Sequence, residues 1–330
     1  MNDPDWYGLQ RYLRDVWDDP ALELVGRPRP VGGGYSRTIW SLDLASDRWR
    51  ESRTFQVRCS DAAGSGLASE IDKLRWLADR RYPATPPVCM VSDTSVIGRP
   101  FALLDWISGP SLAELVQAKG WGEDGMHARA IGNLLARLHA IRSAGFPGRT
   151  TSTSPSPRFD RISGLLGSTR TALLKGLIDT YRPLPSPDVA SHLDLHPRNI
   201  VMADDGACVI DWEKASCAHP LADIAMAQVH TEIAIALGEY PALDGSLVFG
   251  HLLLAGYLGS RSIDCRDLGV FRLLATCQRL EDVAGALQRP VLLEKDRLEL
   301  QAEGAVAIAL IDREIGFFGG RNDLHPEAHP

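Results

Sequence analysis

The sequence predicts an α+β fold of two lobes: a small β-rich N-terminal lobe over residues 1–105 and a larger, mostly helical C-terminal lobe over residues 106–330. Three observations predict it. The first third alternates short β-branched runs with Gly and Pro punctuation, the sequence signature of strands and tight turns. From about residue 107 apolar residues recur at helical spacing instead. A chain of 330 residues is also long enough to bury two substantial cores.

Taken in order, the N-terminus "MNDPDWYGLQRYLRDVW" is acidic and amphipathic, so it is not a signal peptide. "PRPVGGGYSRTIWSLDL" reads as a hairpin around a Gly-rich turn, and "RTFQVRCS" as a short strand. "SGLASEIDKLRWLADRRY" is a helix whose stripe is Leu67, Ile71, Leu74 and Ala78, stopping before Pro83. "PPVCMVSD" and "RPFALLDWI" are two further strands. "ARAIGNLLARLHAI" places Ile131, Leu134, Leu135, Leu138 and Ile141 on one face of a core helix. "TSTSPSPRF" is expected to be a mobile loop, and the tail "GGRNDLHPEAHP" to be disordered. Helical periodicity returns near 222–237, 246–259, 268–287 and 296–315, and no internal repeat is present.

Composition narrows the class. Hydrophobic content of 45% and charged content of 23% are those of an ordinary globular enzyme. A net charge of −7 argues against nucleic acid or an anionic membrane as partner. Residues 1–105 hold 14 basic and 15 acidic side chains, against 21 and 27 in the remainder, so the C-terminal part leans toward a cationic or neutral co-substrate. The six cysteines are scattered without C-x-x-C pairing, which excludes a zinc finger or disulfide scaffold and predicts reduced thiols. No apolar run approaches the ~20 residues of a membrane span. A cytoplasmic protein, monomer or homodimer, working on a small molecule is the expectation.

The segment "HLDLHPRNIVMADDGACVIDWE" carries the chemistry. His192, Asp194 and Asn199 share one short stretch, and Asp211 ends the apolar run that follows. A base, an amide and a second carboxylate, a hairpin apart, can build a magnesium–nucleotide site. Phosphoryl transfer asks the protein mainly for in-line positioning and charge neutralisation.

This pattern, His-x-Asp-x-x-x-x-Asn followed by a strand ending in Asp, resembles the catalytic and metal loops of protein-kinase-like phosphotransferases. "LDLHPRN", "VIDWEKASCAHPLADIA", "LLARLHAI", "GGGYSRT" and "IGRPFALLDWISGPSL" resemble the aminoglycoside phosphotransferase and choline kinase branch, in the expected order over most of residues 30–230. The resemblance implies a protein-kinase-like fold and transfer of the γ-phosphate of ATP, with GTP left open, to a hydroxyl of a small molecule. That acceptor is an aminoglycoside or other antibiotic, as in a resistance enzyme, or else a sugar, amino alcohol or other hydroxylated metabolite. Asp194 then orients the hydroxyl, and Asn199 and Asp211 hold Mg2+. His192 and Asp223 support the loop. Gly33, Gly34 and Ser36 cover the phosphates, Arg58 paired with Glu70 positions them, and Leu104, Asp105, Trp106 and Ile107 form the hinge that binds the purine. His196, Arg198 and Glu213 are possible substrate contacts.

Two positions depart from the family pattern. Leu193 replaces a usual Gly, which implies strain if the backbone angles there are unusual and simple packing if they are ordinary. Arg198 stands where small or polar residues are common and is expected to bear on the acceptor. A nucleotide-binding pseudokinase on the same fold is the alternative of another class. A protein kinase is disfavoured, because no A-P-E-like segment follows Asp211 and only about ten residues separate it from the next helix, too few for an activation loop.

Overall fold

The computed structural model describes residues 4–31, 38–60, 65–148, 156–180, 189–243, 247–288 and 293–322. The chain divides into two compact units: residues 1–110, 146–148 and 201–213 form one, and residues 111–145, 149–200 and 214–330 the other.

The first unit is built on an antiparallel sheet of β1 (Glu23–Val31), β2 (Thr38–Ala45), β3 (Arg53–Cys59), β4 (Pro87–Val91) and β5 (Phe101–Asp105), ordered β1-β2-β3-β5-β4. Proline cannot donate to a ladder, and Pro28, Pro30 and Pro87 all lie on the two edge strands. Helix α1 (Trp6–Val16), capped by Asp5 accepting from the Gly8 N–H at 2.9 Å, lays Leu9 and Leu13 into the same core as Leu42, Phe55 and Phe101. Helix α2 (Ser65–Asp79) buries Leu67, Ile71, Leu74 and Leu77. Ala78, expected on that stripe, is exposed, and Leu77, three residues after Leu74, takes the buried position instead. A hairpin of β7 (Ile200–Ala203) and β8 (Gly206–Val209) leads to Asp211.

The second unit is helical: α3 (Leu112–Lys119), α4 (Met126–His139), α5 (Ser156–Thr180), α6 (Pro220–Ala236), α7 (Phe249–Leu258), α8 (Leu268–Leu287) and α9 (Glu294–Asn322), with a short antiparallel pair β6 (Val189–Ser191) and β9 (Ser216–Ala218). Helices α4 and α7 touch backbone to backbone. A Cβ at Gly132 would run into the Leu253 carbonyl, and one at Gly256 into the Arg129 carbonyl.

Two expectations are corrected here. Residues 156–159 belong to α5 rather than to a loop, with Pro157 in the first turn, where its missing N–H is no loss. Helix α9 runs to Asn322, so residues 319–322 are helical and not part of a disordered tail. Among the described residues no helix is long and apolar enough to cross a membrane.

Candidate active site

The loop after β6 is fixed by one carboxylate. Asp223, wholly buried in the first turn of α6, accepts from the His192 N–H at 2.8 Å and the Leu193 N–H at 2.7 Å. His139 Nε2 lies 3.1 Å from the same carboxylate, and His139 Nδ1 lies 3.0 Å from the Tyr257 hydroxyl. For successive N–H groups to meet one carboxylate the chain must turn sharply, and Leu193 has φ +59°. The unusual-angle alternative therefore holds. A left-handed residue with a Cβ costs about 1–2 kcal/mol. Two hydrogen bonds to a charged acceptor contribute about 1.5–3 kcal/mol each, which outweighs it.

The anchored loop presents Asp194. Its N–H donates to His192 Nδ1 at 3.2 Å, and its Oδ1 lies 3.1 Å from His230 Nδ1 and 3.5 Å from Lys214 Nζ. Burial works to raise the Asp194 pKa, but the hydrogen bond and charge of His230, with Lys214, outweigh it and hold the carboxyl well below the usual range. His196 is pushed down to about 3, chiefly by burial and then by His230, so its ring is neutral. Asn199 turns its Nδ2 inward, to the Asp194 carbonyl at 2.9 Å and to His196 Nε2 at 3.2 Å, which presents Oδ1 as its remaining acceptor. Asp194, His196 and His230 offer ligand atoms within 4.8 Å of one another. Two imidazoles suit a zinc-like ion rather than Mg2+, which prefers oxygen.

His230 and Lys214 were not foreseen from the sequence. His230 had one available signal: it follows Asp223 by seven residues on α6, two turns along the same face. Arg198 is engaged elsewhere, with Glu239 at 2.7 Å. Four acids of the helical unit are also engaged. Glu232 and Glu314 hold the half-buried Arg272 at 2.8 and 2.9 Å, Glu281 meets Arg161 at 2.7 Å, and Asp282 meets Lys214 at 3.3 Å.

The sheet unit carries the remaining positions. Arg58 on β3 is buried, forms an ion pair with the fully buried Glu70 of α2, and donates from Nε to Gln56 Oε1 at 3.1 Å. In the expected hinge, Leu104 pairs with strands on both sides, the Asp105 N–H donates to the Pro86 carbonyl at 3.0 Å, and the Trp106 N–H donates to the Thr54 carbonyl at 3.2 Å. The Asp105 and Trp106 N–H groups are thus engaged within the sheet unit. Asp211 is exposed with φ +63°, and the exposed Glu213 accepts at its carbonyl from Lys73. Gly33, Gly34 and Ser36 lie outside the described residues.

The chain belongs to the phosphotransferase enzyme family, whose model matches residues 28–247. It is 29% identical over 267 residues to a homoserine kinase of Caulobacter vibrioides, covering 72% of this chain and 77% of that protein. Two solved structures share the fold. One is the amicoumacin kinase hAmiN in complex with AMP-PNP, Ca2+ and Ami (TM-score 0.63, 12% identity, 92% and 93% of the two chains). The other is a choline/ethanolamine kinase family protein from Mesorhizobium loti (TM-score 0.59, 17% identity, 88% and 92%). The protein is accordingly a small-molecule kinase, a phosphotransferase with an alcohol group as acceptor, on a protein-kinase-like fold.

Proposed function

We propose that the protein transfers the γ-phosphate of ATP, with Mg2+, to a hydroxyl of a small hydroxylated metabolite. The observation that carries this reading is the state of Asp194: an ionised carboxylate on a loop locked by Asp223, with one oxygen held by His230 and Lys214. Such a weakly basic carboxylate is suited to aligning the attacking hydroxyl. Positioning is most of what phosphoryl transfer requires of a protein.

Mg2+ neutralises phosphate charge when bound, and hard oxygen donors suit it. Asn199 Oδ1 and the exposed Asp211 carboxylate fit that requirement, and they are the residues proposed to hold the ion. Arg58, oriented by Glu70 and Gln56, is proposed to hold the nucleotide phosphates, and Ile107 to meet the purine. Use of ATP is further supported by the fold neighbour bound to AMP-PNP. All six cysteines are free thiols, which supports a reducing compartment such as the cytoplasm.

A polycationic aminoglycoside has less support as acceptor. Glu232, Glu281 and Asp282, three carboxylates that could serve such a pocket, are each paired with Arg or Lys. The homoserine kinase relative supports a small hydroxylated metabolite instead. The test is Asp194→Ala, assayed with ATP against a panel of hydroxylated amino acids, amino alcohols, sugars and antibiotics. Transfer is expected to vanish while nucleotide affinity stays within a few-fold. Near-normal turnover would overturn the role of Asp194, and ATP binding with no transfer to any acceptor by the native protein would favour a pseudokinase.

A further inference from the structure

Helix α2 carries a second buried charge beyond the Arg58–Glu70 pair. Lys73 lies one turn after Glu70 and is 5% exposed. Its Nζ donates to the Glu213 carbonyl at 2.8 Å and to the Trp212 carbonyl at 3.2 Å, across 140 and 139 residues of sequence. Those carbonyls belong to the two residues directly after Asp211. A buried ammonium is a poor way to gain stability, since an apolar side chain of similar volume often serves as well. What it provides is directional donors at a defined place.

The segment it grips needs such a hold. Asp211 has a left-handed backbone, φ +63°, a costly region for a residue with a Cβ, though Asp enters it more readily than most. Trp212 next to it is wholly buried, stands edge-on to Tyr82 at 5.5 Å between ring centres, and donates from Nε1 to the Val209 carbonyl at 3.0 Å. Trp212 thus ties the segment back to β8, and Lys73 ties it to α2.

We propose that Lys73 is a positioning residue for phosphoryl transfer: by holding the Trp212 and Glu213 carbonyls it fixes the Asp211 carboxylate relative to the Arg58–Glu70 pair. The metal ligand and the phosphate-binding pair then move as one piece with α2. This rests on the reading of Asp211 as a ligand of the metal.

The test uses Mn2+ as a paramagnetic probe, titrated into the full-length protein with equimolar AMP-PNP while free Mn2+ is counted by electron paramagnetic resonance. Removing a group that orients a metal ligand typically weakens binding by about 10- to 100-fold. Lys73→Met is expected to show that loss, with metal-free AMP-PNP affinity unchanged. Lys73→Arg, which keeps two donors, is expected to restore Mn2+ binding, a rescue that a purely packing role would not give. Asp211→Ala serves as the reference for a lost ligand. If Lys73→Met binds Mn2+ as the native protein does while Asp211→Ala does not, the Lys73 proposal is overturned and Asp211 stands. If Asp211→Ala also binds normally, Asp211 is not the ligand and both readings fall. Should Lys73→Met not fold, Lys73→Leu, which also lacks a donor, replaces it under the same criteria.

Discussion

Removing the His230 side chain tests how the base is set. His230 Nδ1 lies 3.1 Å from Asp194 Oδ1, and the carboxylate is only 16% exposed, so little water is at hand to replace the contact. A hydrogen bond to a charged group contributes about 1.5–3 kcal/mol. At about 1.36 kcal/mol per decade in rate, its loss in His230→Ala corresponds to a fall in kcat of about ten- to a hundredfold. Lys214, 3.5 Å away, remains and keeps the loss toward the lower end. The same change should move the pH profile. With the His230 contribution gone and Lys214 still opposing burial, the Asp194 pKa rises from its depressed position, and the acid limb of kcat shifts to higher pH. His230→Asn places an amide nitrogen where Nδ1 was and should recover most of the rate. The assay is steady-state ADP release from pH 9 down to the lowest pH at which the protein stays folded, with nucleotide affinity and thermal unfolding as controls. If His230→Ala keeps kcat within twofold and an unmoved acid limb, His230 does not set the base.

Leu193→Gly removes about 1–2 kcal/mol of left-handed strain but adds about 0.5–1 kcal/mol of backbone entropy to the unfolded chain and loses a half-buried side chain. Its stability in urea should therefore lie near that of the native protein, whereas Leu193→Val, β-branched at φ +59°, should be clearly less stable. Arg58→Met removes the ion-pair partner of the fully buried Glu70 carboxylate, a loss of up to about 3–5 kcal/mol, and Arg58→Met with Glu70→Leu should recover most of it in thermal unfolding. Burial pushes the Cys59 and Cys208 thiols up to about 11, against an unfolded value near 8.5. Because the folded state favours the neutral thiol, this contribution is complete below pH ~8.5 and is lost as pH rises through about 11, by at most about 1.4 kcal/mol per pH unit for each thiol. A Cys59→Ala, Cys208→Ala protein should lose less urea stability than the native one between pH 8 and 10.5.

Much of the fold was legible because its signals are local. The strands from β2 to β5 follow short apolar runs between turn residues, and Leu134, Leu135 and Leu138 mark α4 by spacing alone. The start of α5 was hidden by a Ser/Thr/Pro stretch that reads as loop, although Pro in a first helical turn is equally a start signal. The candidate site was legible where its residues are contiguous. His192, Asp194, Asn199 and the brace from Asp223 come from one stretch of 32 residues, and the short loop dictates their neighbourhood. His230 and Lys73 were not legible, because their partners are chosen by how α6 and α2 pack, and that is a property of tertiary structure. Charge pairing failed to show for the same reason. Net charge sums acids and bases without saying which of them face each other, so a composition that leaned toward a cationic acceptor includes several acids paired with Arg or Lys once the helices are placed.

Leu193 shows how such a site tolerates departure from its family pattern. Where glycine is usual, the left-handed angle carries no penalty and the loop needs little further support. With leucine, the angle must be imposed, and Asp223 imposes it with two short hydrogen bonds while His139 and Tyr257 hold Asp223 in turn. The four side chains come from β6's exit loop, α4, α6 and α7, so the strained residue is braced by three separate helices. Such bracing makes the direction of the Asp194 side chain a consequence of helix packing rather than of loop sequence. It follows that a substitution loosening α4 against α7, such as Gly132→Ala, should lower turnover as well as stability, though Gly132 stands on the α4–α7 face and not among the residues proposed to touch nucleotide or acceptor.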